Sequence, residues 1–340
     1  MLTREPGALT LAAADRIRSQ PGRAVLLYLT DRCPVGCAHC SVSARPRGPH
    51  PDLALVEQLV EGLCQLERIR LVGISGGEPF TERRALEAAT TRLAAAGKQL
   101  VLYTSGNWGR DDGTVPSWTR AILARASCVV LSTDAYHAAR IPAPRYLAAL
   151  RATAEAGTWI AVQVIGTPAQ LAEAERLLAA TFGPSWPDQA EIRATELLPR
   201  GRAAQLRPDP GPPAPPSRPG YTSGPCFLAR TPVVRYDGRI TACCNEDVVT
   251  GRGPAALHGR ADGAVELREV LDVMAGDPFL AVIAAAGPGA LTRLPRYREA
   301  GERAHPDICS ACWALLGRGA DSDPAVRAIG LLAGSLPGES

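Results

Sequence analysis

The stretch Cys33-Pro34-Val35-Gly36-Cys37-Ala38-His39-Cys40 follows directly on the apolar run Ala24–Leu29 and presents three thiols at C-x3-C-x2-C spacing. A cubane iron–sulfur cluster has four irons and is usually closed by four cysteines. Three thiolates from one loop leave one iron open to a ligand that is not protein, which suits a reactive centre better than a structural one. A zinc knuckle or a set of incidental buried thiols is the competing reading of the same spacing.

Working outward from this loop, strand-like apolar runs alternate with amphipathic helical ones. After Ala24–Leu29 come a helix over Leu53–Leu66, a strand over Ile69–Ile74, a helix over Glu82–Ala96 and a strand over Gln99–Tyr103. Helix Ser117–Ala126, strand Cys128–Leu131, helix Pro144–Ala156, strand Trp159–Ile165, helix Pro168–Ala180 and strand Glu191–Leu197 complete six β/α steps. Such alternation predicts a parallel sheet, and repeated right-handed crossovers curl it toward an open (β/α)6 barrel over residues 23–206. Residues 1–22 read as an N-terminal extension.

Reactive groups in parallel β/α folds collect on the loops at the carboxyl ends of the strands. The cysteine loop lies at that end of the first strand. After the second strand comes Ser75-Gly76-Gly77-Glu78-Pro79, where two glycines allow close backbone approach and Glu78 offers a carboxylate suited to an ammonium group. The third strand runs into Thr104-Ser105-Gly106-Asn107 and the fourth into Ser132-Thr133-Asp134. Tyr136 and His137 follow, as candidates for substrate binding or, for His137, for capping the next helix. Arg200 and Arg202, after the sixth strand, are candidates for an anionic group.

Residues 207–220 (RPDPGPPAPPSRPG) are half proline and read as a semi-rigid linker. Beyond it, residues 221–340 form a second unit: a hairpin over Thr231–Ala242 turning at Asp237-Gly238, helical stretches near Val265–Met274 and Pro278–Ala286, and an apolar tail helix over Asp323–Ala333. This unit holds five of the ten cysteines, with Cys226, Cys243, Cys309 and Cys312 making a set of four and Cys244 an adjacent spare. Structural zinc uses the same C-x2-C spacing. Cys64 and Cys128 fall on apolar positions and read as core.

The 340 residues are 46% hydrophobic, enough for a large core, and the net charge of +3 from 37 basic and 34 acidic residues offers no nucleic-acid or membrane footprint. No signal peptide or bilayer-length apolar run is present, so ten cysteines predict metal or redox use in the cytoplasm rather than a disulfide framework. The five tryptophans are scattered and form no stacking platform.

The two N-terminal motifs together resemble the radical S-adenosylmethionine (SAM) superfamily. Cys33, Cys37 and Cys40 match its cluster motif, with the ring of His39 packing beside the cluster, and Gly76-Gly77-Glu78-Pro79 matches the motif that holds the amino group of SAM. The resemblance implies a [4Fe–4S] cluster with one open iron, SAM chelated to it, reductive cleavage to a 5′-deoxyadenosyl radical, and an electron donor of the flavodoxin or ferredoxin type. It further implies that Ser105 belongs to the SAM site, that Ser132 and Asp134 face the ribose, and that Gln163–Gly166, Glu196 and Leu197 border the adenine. The C-terminal cysteines resemble the SPASM extension, and more closely its shorter Twitch relative, which implies an α+β domain with a second, auxiliary [4Fe–4S] cluster. On this reading the substrate is a small molecule, through sugar or cyclitol oxidation or decarboxylation of a uronic-acid nucleoside. The alternative is maturation of a ribosomally made peptide, which the lack of room for a leader-binding domain before the first strand disfavours. A non-catalytic iron–sulfur or zinc module stands apart from both.

Overall fold

Six runs become six adjacent parallel strands, the first five largely buried on both faces and the sixth, at the sheet edge, mostly half-buried, each joined to the next by a helix long enough to cross back. The computed structural model describes residues 9–206 and 224–335, so the proline-rich linker over 207–220 and the two chain ends lie outside the described residues. Among these, the barrel series is α1 (Leu11–Arg18), β1 (Ala24–Tyr28), α2 (Leu53–Gln65), β2 (Leu71–Ser75), α3 (Arg83–Ala95), β3 (Gln99–Thr104), α4 (Ser117–Leu123) and β4 (Cys128–Ser132). It continues through α5 (Ala135–Ala138), α6 (Ala143–Glu155), β5 (Trp159–Ile165), α7 (Pro168–Phe182) and β6 (Ala190–Thr195). The second half contains β7 (Val233–Arg235), β8 (Arg239–Thr241), α8 (Glu246–Val249), β9 (His258–Arg260), α9 (Ala264–Ala275) and α10 (Pro278–Ala286). It closes with α11 (Pro288–Leu291), α12 (Arg298–Glu302), α13 (Ile308–Leu316) and α14 (Pro324–Ser335). No helix among the described residues is long and apolar enough to cross a membrane.

The strand order is β6-β5-β4-β3-β2-β1-β7-β8-β9. Pairing is parallel from β6 through β1, with Ala24 opposite Leu71 and Tyr28 opposite Ser75 at the β1–β2 step. Helix starts follow local chemistry: Asp52 accepts from the Ala54 N–H, and Thr167 accepts from Gln170 N–H just before Pro168. Gly73 lies between Leu26 and Tyr103, so a Cβ there would stand 2.9 Å from Leu26 Cδ1; this is the interior side of the curved sheet.

Two features were not visible in the sequence. Helix α1 joins the small cluster of Ala24, Leu71, Val101, Cys128, Val130 and Ala161 at the amino-terminal end of the sheet, so part of the N-terminal extension packs against the barrel. The Leu11 N–H and the Trp159 indole both donate to Glu191 Oε1, at 2.7 and 2.6 Å. The expected hairpin turns at Asp237-Gly238, but β7 runs parallel to β1, with Leu26 opposite Val233 and Tyr28 opposite Arg235. The second half therefore continues the barrel sheet. The pairing joins residues some two hundred positions apart, a distance at which local patterning carries no signal.

Arg235 secures this junction. Its side chain is 1% exposed, donates from Nη2 to Asp31 Oδ2 at 2.7 Å, and lies over the Tyr28 ring at 4.7 Å. The Tyr236 hydroxyl donates to the same Asp31 oxygen at 2.9 Å. Asp31 stands two residues before Cys33, so β7 is tied to the root of the cysteine loop. Arg235→Ala removes one partner of this pair and a cation–π contact, and is expected to lower unfolding free energy by about 3 kcal/mol. A urea titration reads this as a lower midpoint at unchanged slope; an unmoved midpoint would mean that backbone pairing alone holds β7.

Candidate active site

The cysteine loop is closed at its base by backbone pairing. Cys33 N–H donates to Arg45 O at 2.8 Å, and Arg45 N–H donates to Asp31 O at 3.1 Å. Arg202, far along the chain, grips the loop from the other side: its backbone N–H donates to Cys40 O at 3.0 Å, Nε to Cys37 O at 2.9 Å and Nη1 to Ala44 O at 2.6 Å. Arg202 was expected to meet an anionic group; in the structure its backbone N–H, Nε and Nη1 donate to the loop that carries the thiols.

The turn after β2 packs directly on this loop. Gly77 N–H donates to Thr30 O at 2.6 Å and Glu78 N–H to Arg32 O at 2.8 Å. A Cβ on Gly77 would lie 2.2 Å from Arg32 O, and one on Gly76, whose φ is +151°, would lie 2.6 Å from Thr30 O. The glycines thus serve first to let one loop touch another, a reason distinct from the ligand approach expected of them. Glu78 is buried and accepts from four donors: Thr104 Oγ1 at 2.7 Å, Ser105 N–H at 2.8 Å, Ser105 Oγ at 2.6 Å and Phe80 N–H at 3.2 Å. Four donors fill the acceptor capacity of a carboxylate. Burial pushes its pKa up while these hydrogen bonds pull it down. Pro79 opens a short helical turn beyond Glu78, and Ser105 is held at the end of β3 by the same carboxylate.

At the end of β4, Ser132 stands opposite Gln163 of β5 at the same mouth. Asp134 is buried; its Oδ1 caps α5 by accepting from Tyr136 N–H and His137 N–H, and its Oδ2 lies 2.9 Å from His137 Nδ1 and 3.3 Å from His39 Nε2. Burial disfavours its charge, but the two imidazoles outweigh burial and hold the carboxyl well below the usual carboxylate range. A carboxylate expected at the ribose is here the hub of a histidine pair, and His137 sits inside the short helix that Asp134 caps. Tyr136 stacks on His39 at 4.7 Å, and the ligand atoms of Cys37, His39 and His137 fall within 4.8 Å of one another. Glu196 lies one residue beyond β6 and is exposed, with Leu197 half-buried after it.

Burial raises the Cys33 thiol, and it raises Cys37 to about 12, an effect reinforced at Cys37 by Cys33, Asp134 and Cys40 and opposed by Arg202. Such thiols are neutral until a metal takes the proton's place, so loading must release protons. Cys37 senses the charges of Cys33 and Cys40, and three cysteines on one loop that is pinned on both sides beside a guanidinium fit a polynuclear cluster.

In the second half, Cys226, Cys243, Cys309 and Cys312 line one cavity with Leu257, Ile283 and Trp313. Cys309 and Cys312 lie on α13, and Asn245 Nδ2 donates to Cys309 Sγ at 3.1 Å. Burial raises Cys243 to about 12 and also raises Cys309 and Cys312. The Cys244 thiol turns instead to Leu228 O at 3.9 Å and is not among the cavity's lining residues. Arg200, also a candidate for an anionic group, pairs with Glu246 at 2.8 Å, Asp307 at 3.1 Å and Asp247 at 3.5 Å. Cys64 and Cys128 pack in the apolar interior, the latter fully buried.

Residues 27–178 match the model of the Radical SAM superfamily, whose members are enzymes that bind SAM and a [4Fe–4S] cluster. Over 118 residues, 34% of this chain, the sequence is 25% identical to YydG of Bacillus subtilis (strain 168), a protein named for peptide biosynthesis; the match spans 37% of that relative, so this chain covers well under two thirds of it. The fold is similar to that of Streptococcus suis SuiB bound to SAM, with a TM-score of 0.52, 14% identity, and coverage of 81% of this chain and 70% of SuiB. SuiB bound to its precursor peptide SuiA gives a TM-score of 0.50, also at 14% identity, with 81% and 69% covered.

The contact between the two loops is testable. Gly77→Ala forces the β2 turn away from Arg32, and anaerobically reconstituted protein is expected to retain N-terminal iron at least about 10-fold less well against a chelator. Wild-type retention would show that the loop forms without that contact.

Proposed function

We propose that this protein cleaves SAM reductively at the cluster held by Cys33, Cys37 and Cys40, abstracts hydrogen from a peptide, and carries an auxiliary [4Fe–4S] cluster at Cys226, Cys243, Cys309 and Cys312. The observation that carries the first part is the joint between the three-cysteine loop and the Gly76–Glu78 turn, which sets a cluster motif beside a SAM motif at one barrel mouth. Bound there, the cluster and SAM supply one-electron chemistry that yields a hydrogen-abstracting 5′-deoxyadenosyl radical.

The chain's own residues supply the frame. Arg202 and the β2 turn hold the loop from opposite sides, and Glu78 locks Thr104 and Ser105 at the next strand end. Asp134 aligns the His39 and His137 rings beside Cys37. Four thiols around one cavity, with a fifth turned away, support the auxiliary cluster. The all-thiol donor set beside a radical SAM domain favours iron–sulfur over zinc.

A peptide substrate is supported by the match to YydG, a protein named for peptide biosynthesis. On that match the peptide reading is preferred here to the small-molecule one.

With SAM and dithionite, the reconstituted enzyme is expected to hold about eight iron atoms and to release 5′-deoxyadenosine. Cys37→Ala should abolish that release, and Cys309→Ala should halve the iron while leaving SAM cleavage in place. Zinc at the C-terminal set, or SAM cleavage by Cys37→Ala, would contradict the proposal. Deuterium passing into 5′-deoxyadenosine from labelled peptides, and not from cyclitols or uronic-acid nucleosides, identifies the substrate class.

A further inference from the structure

Three consecutive residues, Arg200-Gly201-Arg202, touch both cysteine sites. Gly201 lies flat on the first: with φ at +57°, a Cβ there would stand 2.4 Å from Ser41 O and 2.6 Å from Cys40 O. Arg202 then places its guanidinium on the carbonyls of Cys37 and Ala44. Arg200 points the other way and joins Glu246, which opens α8 just after Cys243, to Asp307, which caps α13 by accepting from Ser310 N–H. Fully extended, the tripeptide spans only about 10 Å, so the two sites are braced through one short rigid segment.

We propose that Arg200 and Arg202 are positioning residues that raise the reduction potentials of the two clusters separately, Arg202 acting on the cluster at Cys33, Cys37 and Cys40 and Arg200 on the auxiliary one. The Arg200 arm rests on the auxiliary-cluster reading above; the Arg202 arm does not. A reduced cluster carries one more negative charge, and a fixed cation beside it stabilises that form. Arginine keeps its charge at every accessible pH. The two differ in what surrounds them. Arg202 meets carbonyls of the loop, at Cys37 and Ala44, and no carboxylate among the described residues. Arg200 is 13% exposed and meets three carboxylates near Cys309, so its loss would leave those charges facing the auxiliary thiolates.

The test is an anaerobic redox titration of the reconstituted full chain, followed by electron paramagnetic resonance, with iron and sulfide counted for each variant. The cluster whose signal changes on adding SAM is the N-terminal one. Arg202→Gln should lower the potential of that cluster and leave the other unmoved, and Arg200→Gln should do the reverse. Lysine at either position keeps the charge and should keep the potential. Unchanged potentials in glutamine variants with full iron content would overturn the proposal, as would lysine variants that shift as far as the glutamine ones. If a glutamine variant fails to load its cluster, the lysine variant decides: a wild-type potential supports the charge effect and a lowered one refutes it. A wild-type chain with a single cluster would sink the auxiliary reading alone and leave the Arg202 arm to be judged on the cluster that remains.

Discussion

Backbone-to-backbone contact between the Gly76–Gly77 turn and the Thr30–Arg32 segment is the constraint on which the rest of the site depends. The approach leaves no space for a side chain, and two N–H groups of the turn satisfy carbonyls at the root of the cysteine loop. Buried backbone groups need such partners, so the loop and the turn specify each other. Glu82 adds a polar pin on the same side, accepting from Thr30 Oγ1 at 3.2 Å and pairing with Arg32 at 3.1 Å. The thiols, the glutamate and the strand ends that follow inherit their places from this joint.

Charge organises the second layer. Burial raises Cys33 and Cys37 at one site and Cys243, Cys309 and Cys312 at the other, so these thiols prefer to be neutral in isolation and depend on a metal to become thiolate. The arginines that approach them do so from one tripeptide at the exit of β6, and their other partners are carbonyls at one site and carboxylates at the other. The C-terminal half is also fastened to the barrel through β7 and the Arg235–Asp31 pair, so loop, hairpin and auxiliary cysteines belong to one connected frame.

Much of this was legible locally. The alternation of strands and helices foretold each barrel strand to within a few residues, because apolar period and length are local properties. The cysteine spacing and the paired glycines were legible for the same reason. Partners distant in sequence were not: Arg202 against Cys37, Arg235 against Asp31, and β7 beside β1 are all made by chain segments more than 150 residues apart. Asp134 and Glu78 show a second limit. Their presence at strand ends was readable, but the donors already around them, two imidazoles for one and two hydroxyls with two amides for the other, emerge only when the loops are folded together.

The central claim is that the loop holds a cluster whose open iron takes SAM. The most direct test is electron–nuclear double resonance on the reduced enzyme with SAM labelled with 15N at its amino group and 17O at its carboxylate. Hyperfine coupling from both labels to a [4Fe–4S] signal that Cys37→Ala removes is the predicted result. A cluster signal indifferent to labelled SAM would contradict the account.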